Sequence, residues 1–327
     1  MRTRHLDASL AADLEEAARL LRNGKLVAFP TETVYGLGAL ALDALAVRGI
    51  YAAKGRPSTN PLIVHVSGVD QARALVTSWP AQAKTLAARF WPGPLTLVLP
   101  RTAAVPDEVT AGGATVALRV PAHPAARALL ERVGAPLAAP SANRAEHVSP
   151  TTAAHVGKDL DGRIDAILDG GACDFGIEST VLWLDPDCAS APRLLRPGAI
   201  SRAELEAALH CAISAGPAAI SASPGLHARH YAPAAIVRLV PTAQLAAVAA
   251  ALAGEGQRVG LIAHSNPRIA SIHSAIELSR DPAGYARAFY AALRALEEAG
   301  CGAIVIEAVP TAGAWEAIAD RLRRAAG

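Results

Sequence analysis

The sequence predicts a two-domain α/β protein, and three observations predict it. Short apolar runs alternate with segments of helical spacing along most of the chain. A stretch rich in Ser, Ala, Gly and Pro interrupts that alternation once, near residues 212–235. The 327 residues exceed one average domain, and 52% of them are hydrophobic, enough to fill two cores. The expected division is a mixed α/β domain over 1–211, a linker over 212–235 and a smaller parallel, Rossmann-like α/β domain over 236–327.

Each element has its own signal. From Leu10 to Arg22 apolar residues recur at helical spacing, and Asn23-Gly24 stops the pattern. Leu26 to Pro30 reads as a buried strand delivering Thr31-Glu32-Thr33-Val34-Tyr35-Gly36-Leu37-Gly38 to a tight turn. Further strands are expected at Leu62–Val66, Leu95–Leu99, Val116–Val120, Leu137–Ala139, Ala166–Leu168 and Val181–Leu184. After the linker come strands at Ile236–Val240, Arg258–Ile262 and Ala303–Ile306, with helices at Ala243–Leu252, at Pro282–Ala299 and at the C-terminus.

Composition excludes several classes. A formal charge of +2 and 4% aromatic residues argue against a dedicated nucleic-acid-binding surface, although a local basic site is compatible with both. Cys173, Cys188, Cys211 and Cys301 are scattered without metal-ligand spacing and read as reduced thiols. No run approaches the ~20 apolar residues of a membrane span, and the N-terminus has no apolar signal core. A cytoplasmic protein without a membrane partner is expected.

The chemistry is concentrated in a few segments. Lys54-Gly55-Arg56-Pro57 pairs a point charge with a planar fork of donors, a combination suited to a polyphosphate, and Pro57 and Pro61 restrict the turn that follows. Ser141-Ala142-Asn143 offers a hydroxyl and an amide two residues apart. Alternation places Thr115, Ala117 and Arg119 on one strand face, and an arginine on a covered strand needs an anion, either a protein carboxylate or a ligand. His65 sits within an apolar strand, where a core histidine and a ligand-binding one are equally consistent. Ser149, before Pro150-Thr151-Thr152, fits a helix N-cap. No Ser-His or Cys-His nucleophile pair is evident.

Taken in order, Pro30 to Gly38, Lys54 to Pro57, Asn60-Pro61-Leu62, Pro140 to Asn143, Ser149-Pro150-Thr151, Asp169-Gly170-Gly171, Glu178 to Val181 and Leu195-Arg196-Pro197-Gly198 resemble the threonylcarbamoyl-AMP synthase family. Ser223-Pro224-Gly225, His230-Tyr231-Ala232-Pro233 and the ending Ala317 to Leu322 resemble its two-domain form, in which a YrdC-like catalytic domain is followed by a linker and a C-terminal α/β domain. The resemblance implies a nucleotidyltransferase that makes threonylcarbamoyl-AMP and pyrophosphate from L-threonine, bicarbonate or CO2, and ATP. The YrdC-like domain would be a twisted mixed sheet with helices around a concave cationic pocket. By similarity, Lys54 and Arg56 are catalytic and, with Asn60, Thr115, Ser141, Asn143, Ser149, Arg196, His230 and Tyr231, bind ATP as substrate, with Mg2+ expected to accompany it. Thr33, His65, Arg119, Ala139 and Ser179 would hold threonine, and no residue is expected to ligate a metal. The linker would fold over the site. The product would pass to a tRNA threonylcarbamoyl-transferase complex, with at most weak contact to tRNA. Two other readings, a carbamoyl-transfer enzyme and a noncatalytic RNA-binding module, are disfavoured by the lack of a CxxC pair and by the near-neutral charge.

Overall fold

The computed structural model of the chain describes residues 2–216 and 233–327. These form two compact units, the first holding most of the chain before the undescribed segment. The second holds the chain after it, together with Glu146–Ser149 and Phe175–Ile177.

The first unit is built on one mixed sheet. Its strands are β1 (Arg4–Asp7), β2 (Val27–Phe29), β3 (Gly36–Leu40), β4 (Ile63–His65), β5 (Leu95–Pro100), β6 (Thr115–Arg119), β7 (Leu137–Ala138), β8 (Ala166–Asp169), β9 (Thr180–Trp183), β10 (Arg193–Arg196) and β11 (Ser214–Ala215). They lie in the order β1-β8-β2-β3-β7-β4-β6-β5-β9-β10-β11. Side chains alternate between the sheet's two faces. Ala28, Leu37, Val64, Leu97, Val116, Leu118 and Leu182 join one large core cluster. Val27 and Phe29 pack into a second cluster, and Ile63, Ala117 and Val181 into a third, on the opposite face. By the same alternation His65 and Arg119 lie on that opposite face, two residues beyond Ile63 and Ala117.

Several elements depart from expectation for identifiable reasons. The Gly36–Gly38 segment is a strand, not a turn. A Cβ on Gly38 would lie 2.8 Å from the Phe29 ring, so the glycine clears room for a side chain on the paired strand. The helix Ala153–Leu160 is capped by Thr152, whose hydroxyl accepts from the His155 amide, and not by Ser149. The stretch read as linker opens on β11, which pairs in parallel with β10.

Gly198 marks another close approach. A Cβ there would meet the Thr180 nitrogen at 2.3 Å and the Glu178 oxygen at 2.7 Å, both backbone atoms that cannot swing aside. Gly198→Ala is expected to cost about 1–3 kcal/mol in denaturant titration, the usual range for overpacking, and to lower activity by displacing Ser179.

The second unit is a four-stranded parallel sheet of β12 (Ile236–Val240), β13 (Val259–Ala263), β14 (Ser274–Glu277) and β15 (Ala303–Glu307), in the order β12-β15-β13-β14. The helix Leu245–Gly254 shares a core cluster with β13 and β15, and Glu316–Ala326 packs on β12. Within that last helix the Asp320 carboxylate pairs with Arg321 at 2.8 Å and Arg324 at 3.0 Å. Among the described residues no helix is long and apolar enough to cross a membrane.

Candidate active site

The loop between β2 and β3 is locked by its own threonine. Thr31 Oγ1 donates to the Val34 carbonyl at 2.6 Å and accepts from the Val34 amide at 3.3 Å, a side-chain turn that fixes Glu32 and Thr33. Both then meet Arg119 at the end of β6. Nη1 of Arg119 donates to Thr33 Oγ1 at 2.9 Å, Nη2 lies 2.7 Å from Glu32 Oε1, and Nε reaches the Gly93 carbonyl at 3.3 Å. The anion that Arg119 requires is thus a protein carboxylate, with both partners buried. Burial alone would raise the Glu32 carboxyl, but the charge and hydrogen bonding of Arg119 outweigh it and hold the group below its ordinary value. A guanidinium has five N–H donors. These three contacts occupy three of them, so two remain for a second carboxylate.

Parallel pairing sets His65 of β4 beside Arg119. The imidazole meets the edge of Phe29 at 6.0 Å, and its Nδ1 has no hydrogen-bond partner among the described residues. Burial, reinforced by the Arg119 charge, pushes its pKa down to about 3, so at neutral pH it is an uncharged ring. Folding therefore takes up fewer protons than the unfolded chain between pH 3 and about 6.5, and stability should fall on acidification through that window. His65→Leu is expected to flatten this limb, by up to about 1.4 kcal/mol per pH unit, in unfolding experiments run across that range. An unchanged limb would remove His65 as its source.

Ser179, immediately before β9, shares this face. Its hydroxyl lies 2.8 Å from Thr96 Oγ1 and accepts from Arg196 Nη2 at 3.1 Å, while Arg196 Nε donates to the Ser179 carbonyl at 3.1 Å. Strict alternation from Leu194, whose side chain lies in the large cluster, would send Arg196 the wrong way. The β9–β10 register shifts by one residue between Leu194 and Arg196, and this bulge re-aims the arginine.

Lys54 ends the helix Ala44–Lys54 and is almost fully buried. Its ammonium donates to the Ser141 carbonyl at 2.5 Å and to that of Asn143. The two motifs that are far apart in sequence therefore meet through one cation. Arg56, also buried, folds the turn after it by donating to the Asn60 carbonyl at 3.3 Å and that of Pro61 at 3.1 Å. Burial, with the Arg56 charge beside it, holds the Lys54 pKa well below its ordinary value. Lys54 has no carboxylate at salt-bridge distance among the described residues, and an arriving anion would relieve its cost. Thr115 Oγ1 is likewise buried without a partner, about 13 Å along β6 from Arg119 at ~3.3 Å per residue.

The geometry thus joins Lys54 to Ser141 and Asn143, Arg56 to Asn60, Thr33 and His65 to Arg119, and Ser179 to Arg196. Ala139 follows β7, its amide bonded to the Ile63 carbonyl at 2.9 Å. Ser149 is buried and belongs to the segment grouped with the second unit. His230 and Tyr231 lie outside the described residues. Sequence reasoning missed Glu32 and Thr96, whose roles depend on strands remote in sequence. Asp169-Gly170-Gly171 is structural support, since the Tyr35 hydroxyl donates to the Gly171 carbonyl at 2.7 Å and so ties that turn to the start of β3. Among the described residues no three His, Cys, Asp or Glu side chains converge as a metal site.

Known proteins resemble this chain along most of its length. The family described as "Telomere recombination" matches residues 19–198, and that described as "Threonylcarbamoyl-AMP synthase, C-terminal domain" matches residues 200–327. The threonylcarbamoyl-AMP synthase of Pyrococcus abyssi is 42% identical over 322 residues, covering 95% of this chain and 93% of the relative. That of Bacillus subtilis is 43% identical over 334 residues, covering 96% and 93%. The crystal structure of P. abyssi Sua5 complexed with L-threonine superposes with a TM-score of 0.92 at 40% identity, covering 100% of this chain and 98% of that one. With both domain models matched in order and relatives aligned along nearly their whole length, this chain belongs to the threonylcarbamoyl-AMP synthase family.

Proposed function

We propose that the chain condenses L-threonine, CO2 or bicarbonate, and ATP into threonylcarbamoyl-AMP and pyrophosphate, supplying the threonylcarbamoyl group for modification of the tRNA adenosine beside the anticodon. The observation that carries this reading is the presence, in the first unit, of two buried cationic centres with different surroundings. Arg119 is braced by Glu32 and keeps two donors for an amino-acid carboxylate. Lys54 is desolvated and held only by carbonyls, which suits a polyphosphate.

The proposed contacts combine these surroundings with what the family resemblance implies. Threonine's carboxylate would lie on Arg119, with Thr33, His65, Ala139 and Ser179 shaping the pocket around its amine and hydroxyl. Lys54, Arg56, Asn60, Thr115, Ser141, Asn143, Ser149 and Arg196 would take the nucleotide, and His230 and Tyr231 of the linker would close over it. The amine adds to CO2, a carbamate oxygen attacks the α-phosphorus, and pyrophosphate leaves with the electron pair of the broken P–O bond. The cations favour the step by stabilising charge on the departing pyrophosphate and by alignment. With no converging acidic cluster among the described residues, Mg2+ would arrive on the triphosphate as part of the substrate.

The test incubates the purified protein with ATP, bicarbonate and each amino acid in turn, reading the adenylate by mass spectrometry. Threonylcarbamoyl-AMP from threonine and little from serine or valine is the expected result. ATP turnover indifferent to the amino acid would overturn the reading.

A further inference from the structure

The second unit carries a polar cluster that the proposed reaction does not use. After β12 and β13 the chain moves toward the β14 edge of the sheet, whereas after β14 and β15 it returns toward the β12 edge. The connections therefore diverge between the neighbouring strands β13 and β15. In open parallel α/β sheets such a switch point leaves a crevice beyond the carboxyl ends of the strands, and ligands bind there.

Glu307, the last residue of β15, stands at this switch point. Its carboxylate is fully buried and accepts from Thr242 Oγ1 at 2.7 Å and from the backbone amides of His264 and Ser265 at 2.8 and 3.0 Å. It ties the loops after β12 and β13 to the end of β15, and its charge is already satisfied. Three rings stand around it, with centroids 6.4 Å apart for His264 and Tyr285, 6.3 Å for His264 and Trp315, and 5.5 Å for Tyr285 and Trp315. His264, Ser265 and Trp315 are half-buried, so the cluster reaches solvent. Within it, Tyr285 Oη is buried without a hydrogen-bond partner among the described residues, and the buried Ser265 hydroxyl has only the Glu307 carboxylate beside it. The Glu307 contacts account for the loops. They leave the Tyr285 hydroxyl unexplained, since buried hydroxyls are normally paired.

The geometry points to a second small-molecule site in the C-terminal unit, between the ends of β13 and β15, that takes a purine nucleoside. The base stacks on the half-exposed Trp315 ring, and Ser265 and Tyr285 pair with its hydroxyl or ring-nitrogen groups. A neutral ligand fits best, because the Glu307 charge is spent and Arg280, a cation at the rim, donates its Nε to the His264 carbonyl at 3.0 Å.

The full chain labelled with 5-fluorotryptophan tests this, since its four tryptophans give four fluorine resonances and Trp315→Phe assigns one of them. Titration with adenosine should move the Trp315 line saturably. Tyr285→Phe removes the unpartnered oxygen and Ser265→Ala the hydroxyl beside Glu307, both should leave the fold intact, and each should weaken adenosine by on the order of tenfold. Synthesis of the adenylate at saturating substrate should be unchanged in both. A Trp315 line unmoved by millimolar adenosine, a midpoint in both variants equal to that of the parent protein, or a response to ATP without one to adenosine would overturn the assignment.

Discussion

Lys54→Ala and Arg56→Ala each lower threonine-dependent pyrophosphate release by about 10²-fold or more, the usual loss when a preorganised charge-stabilising donor is removed. The expectation rests on where the two groups sit. Lys54 is buried against the Ser141 and Asn143 carbonyls, and Arg56 holds the turn that ends at Pro61. Neither is a solvated surface charge, whose loss would be nearly silent. Lys54→Arg should recover little, because a guanidinium does not fit between two carbonyls that an ammonium already fills. Steady-state assays on variants whose circular dichroism matches the parent protein check this. Turnover within a few-fold of the parent in both alanine variants would take the pair out of the site.

Glu32→Ala should be the most destabilising single change in the first unit. It strips the buried Arg119 guanidinium of its counter-charge, and breaking a buried pair from one side costs about 3–5 kcal/mol. The same logic applies to Arg119→Ala, which strands the Glu32 carboxylate. Replacing both, as in Glu32→Gln with Arg119→Met, should cost less than the sum of the single changes, because neither residue then leaves an isolated charge. The sign of the pH effect follows from the lowered Glu32 pKa. Its contribution is fully present above the ordinary carboxylate value and is lost as pH falls through the folded-state value. Denaturant midpoints measured at neutral pH and near pH 4 give all three quantities, and additive costs for the pair would contradict the account.

The sequence made the buried strands readable because β2, β4, β5, β6 and β9 are short apolar runs. The strands it hid are the ones whose side chains do not advertise burial. β1 is the polar segment Arg-His-Leu-Asp and lies at the edge of its sheet, β14 is likewise a half-exposed edge strand, and β3 is rich in glycine that yields space to Phe29. The site divides in the same way. The Lys54–Arg56 spacing shows itself locally, and alternation along β6 correctly put Arg119 on the face opposite Val116 and Leu118. Which anion Arg119 would meet was beyond local reasoning, since Glu32 arrives from a loop beyond β2, several strands away in the sheet. Arg196 is subtler still. Its direction depends on a one-residue bulge that only the β9–β10 register reveals.

The central claim is that the first unit carries two separable cationic centres, Lys54 with Arg56 for the nucleotide and Arg119 for the amino acid. Calorimetric titration of ATP and of L-threonine into Lys54→Ala and Arg119→Lys tests it most directly, the second variant keeping the charge that Glu32 requires while losing the two-pronged fork. The account predicts a crossed pattern, with Lys54→Ala losing ATP and keeping threonine, and Arg119→Lys losing threonine and keeping ATP. Parallel loss of both ligands in both variants, or of neither, would contradict it.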